Sequence, residues 1–327
     1  MHDKIKLAVW GVGRHARKRI LAAIQNSRSV ELSGIFTRNQ TLGKEEAEKR
    51  GCRYFLSIDE MLSDSNIQAV FLCTPTGLHF SQGKSVLEAG KHLWCEKPIA
   101  TSFKHSQELI KLAINKNLYV GEAYMYKYHL QFKKLKNIVE NFQFGKLKRL
   151  ICCFSIPTLD QPGFRINPDL GASALLDLGS YTFSLANEFF KGQPTFELAE
   201  YYKDNKAIDQ NGFCVLGYQG GIKAILEWSY NSCYINQAEL RFEKGTITTD
   251  NIFSKSEDYC PALRVKMLKG DFNEEKLLPE NSYVNMLDHF SHCTTKRSTN
   301  DYEAILSTSK LISAFTKQVR MREISWQ

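Results

Sequence analysis

An apolar run, Ile5–Trp10, leads straight into Gly11-Val12-Gly13-Arg14-His15-Ala16, and residues 14–26 then read as a helix with Ile20, Leu21 and Ile24 on its inner face. No other feature narrows the fold as much. A strand that turns on glycines into a helix opens a βαβ unit, and this spacing fits a dinucleotide. Gly11 permits the tight turn, and Gly13 lets backbone approach a pyrophosphate held at the helix N-terminus. Ala16 stands where a third glycine often sits and still allows close helix–strand packing. Val12, Arg14 and His15 complete the loop as candidate cofactor-binding residues.

Behind the loop the chain alternates. Strands are expected at 30–36, 69–73, 92–95 and 118–120, with helices at 44–50, from 57, at 79–89 and at 102–115. The run 69–73 is apolar throughout, as in a strand buried on both faces. The pattern predicts an α/β fold, a doubly wound parallel sheet of Rossmann type over residues 1–122. The rhythm then changes. An amphipathic helix is expected at 131–141, a long strand at 147–156 and a helix at 172–190. Close-set strand-like runs follow between Phe196 and Lys269, and the last helices are expected at 283–294 and 302–320. Residues 123–327 therefore read as an α+β domain with a large, mostly antiparallel open sheet, its final helix able to pack back on the first domain.

A chain of 327 residues with 43% hydrophobic content suits two globular domains. No apolar run reaches the roughly 18 residues of a membrane helix. Residues 1–6 are charged and enter the first strand directly, so no signal peptide is expected. The nine cysteines include no Cys-x-x-Cys pair. Reduced, mostly buried thiols in a cytoplasmic protein are expected, with no structural metal. Net charge is +8, but the basic residues are dispersed. Their densest cluster, Lys133, Lys134, Lys136, Lys146, Lys148 and Arg149, reads as a solvated helix and turn. Nucleic acid is not the expected partner; an anionic cofactor or substrate is the better use of the field.

The second strand ends in Phe36-Thr37-Arg38-Asn39. An acid here would bond the ribose hydroxyls of NAD, and Glu31 lies at the wrong end of the strand. Arg38 can pair instead with a 2′-phosphate, assisted by the Thr37 hydroxyl, so NADP (NADPH) is expected over NAD. The alternative is a solvated loop cation. Further along, Trp94-Cys95-Glu96-Lys97-Pro98 puts a lysine at another strand end, on the edge where open parallel sheets bind ligands. Its ammonium can bond a substrate oxygen and stabilise negative charge there. On the helix after Gly171, Asp177 and Tyr181 are four apart and share a face. A tyrosine near a lysine can donate a proton, because the ammonium lowers the phenol pKa, and either Tyr181 or Lys97 could be the donor. Asp177 could orient either partner. From this segment alone, a core helix with a tyrosine bonded to backbone is the competing reading.

Taken together, the chain resembles the Gfo/Idh/MocA oxidoreductase family over nearly its whole length. The resemblance rests on the glycine loop, Cys73-Thr74-Pro75 with His79, Ala89-Gly90-Lys91-His92, Glu96-Lys97-Pro98 and Asp177-Leu178-Gly179-Ser180-Tyr181. It implies nicotinamide hydride transfer with Lys97 near the reacting oxygen and Tyr181 in the place of the family's His or Tyr acid/base. Thr74, Pro75 and His79 would line the nicotinamide side of the cofactor cleft, with Glu96 beside them. The family's open sheet implies a homodimer or homotetramer. Residues 122–131 are similar to sugar-type members, many of which have Arg where this chain has Lys127, a candidate substrate-binding residue. Phe154-Ser155-Ile156-Pro157, Phe164-Arg165 and the Asp-x-Gly-x-Tyr helix look like the nucleotide-diphosphate hexose 3-ketoreductases of deoxysugar biosynthesis. In that likeness the loop 157–167 borders the substrate, and Arg165 binds sugar or diphosphate or else anchors the loop. Gly171-Ala172-Ser173 departs from the several glycines usual there. The expected activity is NADP(H)-dependent reduction of a nucleotide-linked keto-sugar. The alternatives are a free sugar, polyol or trans-dihydrodiol as substrate, or a non-catalytic NADP-binding regulator, which would need neither Lys97 nor Tyr181.

Overall fold

The computed structural model describes residues 4–323. Residues 1–3 and 324–327, within the expected domain bounds, lie outside the described residues. The chain divides into two compact units, residues 1–124 with 283–309, and residues 125–282 with 310–327.

In the first unit β1 (Ile5–Trp10) enters a π-wound turn, Ala16–Ile20, that continues as α1 (Leu21–Asn26). There follow β2 (Val30–Phe36), α2 (Gln40–Arg50), β3 (Arg53–Tyr54), α3 (Ile58–Ser63) and β4 (Ala69–Leu72). Then come α4 (His79–Glu88), β5 (His92–Cys95), α5 (Phe103–Asn115) and β6 (Val120–Glu122). The six-stranded sheet has the order β3-β2-β1-β4-β5-β6, and its pairings are parallel. Strand order reverses between β1 and β4, the position where such sheets bind ligands. β4 is buried along its whole length, which explains its unbroken apolar sequence. Asn39, Ser57 and Ser102 cap α2, α3 and α5 by accepting from the backbone N–H groups of Leu42, Glu60 and His105. β3 escaped sequence reading because it is only two residues long.

The second unit begins with α6 (Leu130–Glu140), β7 (Leu147–Ser155) and, after a long loop, α7 (Ser180–Phe189). β8 (Thr195–Lys203), β9 (Asp209–Tyr218), β10 (Ile222–Ser229), β11 (Ile235–Phe242), β12 (Gly245–Asp250), β13 (Ala262–Met267) and β14 (Phe272–Lys276) follow. After α8 (Ser282–Lys296) and α9 (Tyr302–Gln318) comes β15 (Arg320–Glu323). The nine-stranded sheet runs β14-β13-β12-β11-β7-β10-β9-β8-β15. It is antiparallel except at β7–β10 and β8–β15. Two departures from expectation lie at its edges. β14 carries the sequence Phe-Asn-Glu-Glu-Lys, which has no apolar face, and its strand state comes from pairing with β13. The helix expected to reach Arg320 stops at Gln318, because the next residues pair with β8. Trp228, Phe183 and Phe315 are fully buried, with ring centroids 5.2–5.6 Å apart.

Sequence reading left residues 283–309 in the second domain, whereas they belong to the first unit. Phe290 of α8 is fully buried, its ring 5.5 Å from Trp94 and 6.0 Å from Tyr119. Trp94 Nε1 donates to Thr294 Oγ1 at 3.0 Å, and the Tyr302 hydroxyl donates to the Leu118 carbonyl at 2.7 Å. Burying one such aromatic side chain contributes about 2–3 kcal/mol. Amphipathicity marks α8 as a helix with a buried face but does not say which sheet it covers.

Candidate active site

At the C-terminal edge of the six-stranded sheet, three segments separated in sequence converge. Gly11 has φ +98°, and a Cβ there would lie 2.9 Å from the Cys73 carbonyl oxygen. This position needs glycine for both conformation and space. Backbone bonds from Gly11 to Phe36, from Cys73 to Trp10 and from Glu96 to Leu72 align the ends of β2, β1, β4 and β5. His79 is 1% exposed. Its Nδ1 lies 2.8 Å from the Pro98 carbonyl oxygen and its Nε2 2.8 Å from that of Thr74. Burial pushes its pKa down against the pull of both carbonyls. The Thr74 hydroxyl donates to Gln82 Oε1 at 2.6 Å, and Pro75 is extended. Glu96 Oε1 lies 3.2 Å from His15 Nε2. Burial acts to raise the Glu96 carboxyl, but His15, Lys97 and His79 together hold it below its ordinary value. Lys97 follows on the same strand end, half-buried, and its bond to Pro98 is cis. Burial raises the Cys73 and Cys95 thiols well above the ordinary range, so both stay protonated.

This edge fits a dinucleotide. Gly13 is exposed, and a Cβ there would meet nothing within 4 Å, so the loop presents bare backbone to open space. The Arg17 N–H donates to the Gly13 carbonyl at 3.0 Å, which starts the helix at the loop. The preceding N–H groups have no intrahelical partner and favour an anion. Arg14 is exposed beside them, and Val12 packs inward at 2% exposure. At the end of β2, Thr37 accepts at its carbonyl from the Tyr54 hydroxyl, and Asn39 is the cap of α2. Arg38 between them is exposed and makes no hydrogen bond or ion pair among the described residues.

The second unit carries the other constellation. A π-wound turn, Leu175–Gly179, runs into α7 and holds Asp177. Such widened turns recur at functional sites. Asp177 Oδ2 accepts from Arg165 Nε at 2.7 Å and from the Tyr230 hydroxyl at 3.1 Å. Tyr230 also reaches the Ser173 carbonyl, and Asp209 accepts from the Leu175 N–H. The Arg165 guanidinium lies over the Phe164 ring, 5.0 Å from its centroid. A Cβ at Gly179 would stand 2.8 Å from the Trp228 ring, so this glycine lets the helix lie against β10. Tyr181 is 5% exposed, its ring among Phe154, Phe253 and Tyr126 at 5.3, 5.4 and 6.2 Å. Its hydroxyl donates to Met125 Sδ at 3.4 Å.

Lys127, expected at the substrate, has its Nζ 2.8 Å from Glu188 Oε1, while Lys136 takes Oε2 at 2.8 Å. Burial alone would raise the Glu188 carboxyl, but the two ammonium groups prevail and hold it at about 2. Lys127 thus serves a framework ion pair here, and Arg165 ties the loop 157–167 to the Asp177 turn. Sequence reasoning missed Tyr230, Asp209 and Glu188. Glu188 left one signal, being the sole charge in α7.

A Rossmann sheet with an open glycine loop and a lysine on one edge defines a nicotinamide-dependent oxidoreductase. Residues 5–124 match the model described as oxidoreductase family, NAD-binding Rossmann fold, and residues 132–248 match the GFO/IDH/MocA C-terminal domain. The chain belongs to the Gfo/Idh/MocA oxidoreductase family. It is 27% identical over 86% of its length, and 84% of the relative's, to a dTDP-3,4-didehydro-2,6-dideoxy-alpha-D-glucose 3-reductase of Saccharopolyspora spinosa. It is 28% identical over 72% of its length, and 73% of the relative's, to the scyllo-inositol 2-dehydrogenase (NADP(+)) IolU of Bacillus subtilis. Its fold matches the crystal structure of KijD10, a 3-ketoreductase from Actinomadura kijaniata in complex with NADP and TDP-benzene. The TM-score is 0.94 at 22% identity, covering 99% of this chain and 100% of that one. No helix among the described residues is long and apolar enough to cross a membrane.

Proposed function

We infer that this oxidoreductase uses NADPH to reduce a nucleotide-linked keto-sugar. The substrate reading is carried by the relatives named as 3-reductases of a dTDP-linked keto-sugar, the Saccharopolyspora spinosa and Streptomyces violaceoruber proteins among them. The exposed, unengaged Arg38 beside Thr37 supports NADP, since a guanidinium matches a 2′-phosphate and nothing competes for it. The loop Gly11 to His15 would hold the pyrophosphate, and Thr74, Pro75, His79 and Glu96 would face the nicotinamide. When bound, a reduced nicotinamide supplies hydride to a carbonyl carbon. In the proposed chemistry Tyr181 gives a proton to the carbonyl oxygen, Lys97 stabilises the charge developing on it, and the product is the alcohol. Asp177 acts through Arg165, by fixing the loop 157–167. Assembly as a dimer or tetramer through the open sheet goes with this reading.

A second reading has a specific observation in its favour. Arg165, expected to bind sugar or diphosphate or else to anchor its loop, is bonded to Asp177 and stacked on Phe164. That favours an uncharged sugar or polyol, as in the Bacillus subtilis relative. Calorimetric titration of TDP, UDP, GDP and CDP into the protein with saturating NADPH separates the two. Micromolar binding of one nucleotide supports the first reading and names the base. Absence of binding by all of them supports the second.

A further inference from the structure

A second constellation in the first unit belongs to none of this chemistry. His289 and Cys293 are four apart on α8 and share a face, and Asp301 lies one residue before α9. His289 Nε2 is 2.9 Å from Asp301 Oδ2 and 3.4 Å from Cys293 Sγ. The three donor atoms all lie within 4.8 Å of one another. Both the sulfur and the carboxylate oxygen address the same ring nitrogen. A single proton on Nε2 can be directed at only one of them, so hydrogen bonding alone serves this geometry poorly. A cation at their common focus would be bound by all three.

We propose that His289, Cys293 and Asp301 form a zinc-class metal site that staples α8 to the start of α9. Thiolate, imidazole and carboxylate are a borderline-soft donor set suited to Zn²⁺, whereas calcium and magnesium take oxygen ligands. Ligand bonds of about 2.0–2.3 Å in a tetrahedron place donor atoms roughly 3.3–3.6 Å apart, within small side-chain shifts of the observed spacing. The site also has an outer partner: the Tyr119 hydroxyl donates to Asp301 Oδ2 at 2.5 Å, the type of bond that orients a metal-binding carboxylate. Cys293 is 3% exposed, while the His289 and Asp301 side chains are 35% and 26% exposed. Solvent therefore reaches one side, where a water can complete the tetrahedron. Tyr119 immediately precedes β6, so the cluster sits at the N-terminal edge of the parallel sheet, opposite the edge that carries Gly11 and Lys97. The role is structural. Cys-x-x-Cys spacing could not reveal the site, because its soft pair is a helical His-x-x-x-Cys.

The test uses reduced, untagged full-length protein stripped with chelator and titrated with Co²⁺ and then Zn²⁺. The expected result is one equivalent bound at micromolar affinity or tighter, with a sulfur-to-cobalt charge-transfer band that Zn²⁺ displaces. Cys293→Ala should abolish the band, as should His289→Gln, while circular dichroism shows each variant folded. A double variant of the exposed Cys233 and Cys260, each to Ser, should retain it. Asp301→Asn should weaken binding at least tenfold and provides a second probe should a helix variant fail to fold. No cobalt band in the folded wild type would overturn the proposal, leaving a His–Asp ion pair. So would a band that survives Cys293→Ala.

Discussion

His79 stands 2.8 Å from the carbonyl oxygen of Pro98, with its other ring nitrogen equally close to Thr74. One buried imidazole thus fills the space between the turn after β4 and the residue following Lys97, with one N–H to give to either carbonyl. The lysine is held from behind by a group that need not touch substrate. The neutral ring has a single N–H to give, so His79→Ala removes the donor from one of these carbonyls and empties a buried site, and it is expected to destabilise the protein by about 1–3 kcal/mol in urea unfolding. Turnover should fall roughly 10- to 100-fold through misplacement of Lys97, and His79→Gln should recover part of both. An Ala variant with unchanged unfolding midpoint and turnover would remove the clamp from the account.

Arg38→Asp is expected to lower the NADPH-over-NADH affinity ratio by roughly 10- to 100-fold, the value of one charge-assisted pair. Fluorescence titration with both cofactors measures it. An unchanged ratio would make Arg38 an ordinary solvated cation.

Tyr181→Phe should reduce turnover by about one to three orders of magnitude while dinucleotide affinity persists. Its buried hydroxyl has a thioether acceptor, so its loss should cost stability little. Steady-state kinetics beside a binding titration gives the answer. Near-normal turnover would take the tyrosine out of the proton step.

Glu188, held at about 2 by Lys127 and Lys136 against its burial, makes stability depend on acid. A carboxyl with a depressed folded pKa contributes fully above its unfolded value and loses that contribution as pH falls through the folded one. Glu188→Gln should therefore cost about 2–3 kcal/mol at neutral pH. The gap between variant and wild type should close as pH falls from about 4.5 towards 2. Urea midpoints at several pH values check this, and a pH-independent gap would refute it.

Lys255 has the opposite sign. Burial pushes its ammonium down to about 7 against the pull of Glu280. The unfolded chain holds the proton more tightly, so stability is lost as pH falls from about 10.5 to 7 and changes no further below. Lys255→Met should raise stability by about 1–3 kcal/mol at neutral pH, with the gain shrinking towards pH 10. Thermal melts across that range test it, and a destabilised variant would show that the ammonium is structurally required.

Elements with a strong local pattern were legible. The glycine loop, the apolar β4 and the amphipathic α5 and α6 stand close to where periodicity put them, and the edge holding Gly11, Thr74, His79 and Lys97 follows from strand order. What stayed hidden was set by contacts distant in sequence. Asp177 and Tyr181 share a face by spacing, but the π-wound turn delivers Asp177 to Arg165 and Tyr230 while Tyr181 enters a ring cluster. Lys127 stood out only through the family resemblance, and its ion pair with Glu188 was hidden because the two are remote in the chain. β14 and β15 have no pattern of their own, since edge pairing alone makes them strands.

The membership of α8 in the first unit bears on how the protein is made. Gly121 of β6 has no side chain because the Phe290 ring would lie 2.9 Å from a Cβ there, and that ring also covers Trp94 and Tyr119. During synthesis, the sheet that binds the dinucleotide leaves the ribosome long before this aromatic lid on its core. The nascent Rossmann strands must wait, with Trp94 uncovered, while the whole nine-stranded sheet except β15 is translated. A fragment ending near residue 124 would be born in that same unfinished state, so the dinucleotide unit cannot be isolated by a single cut in the gene.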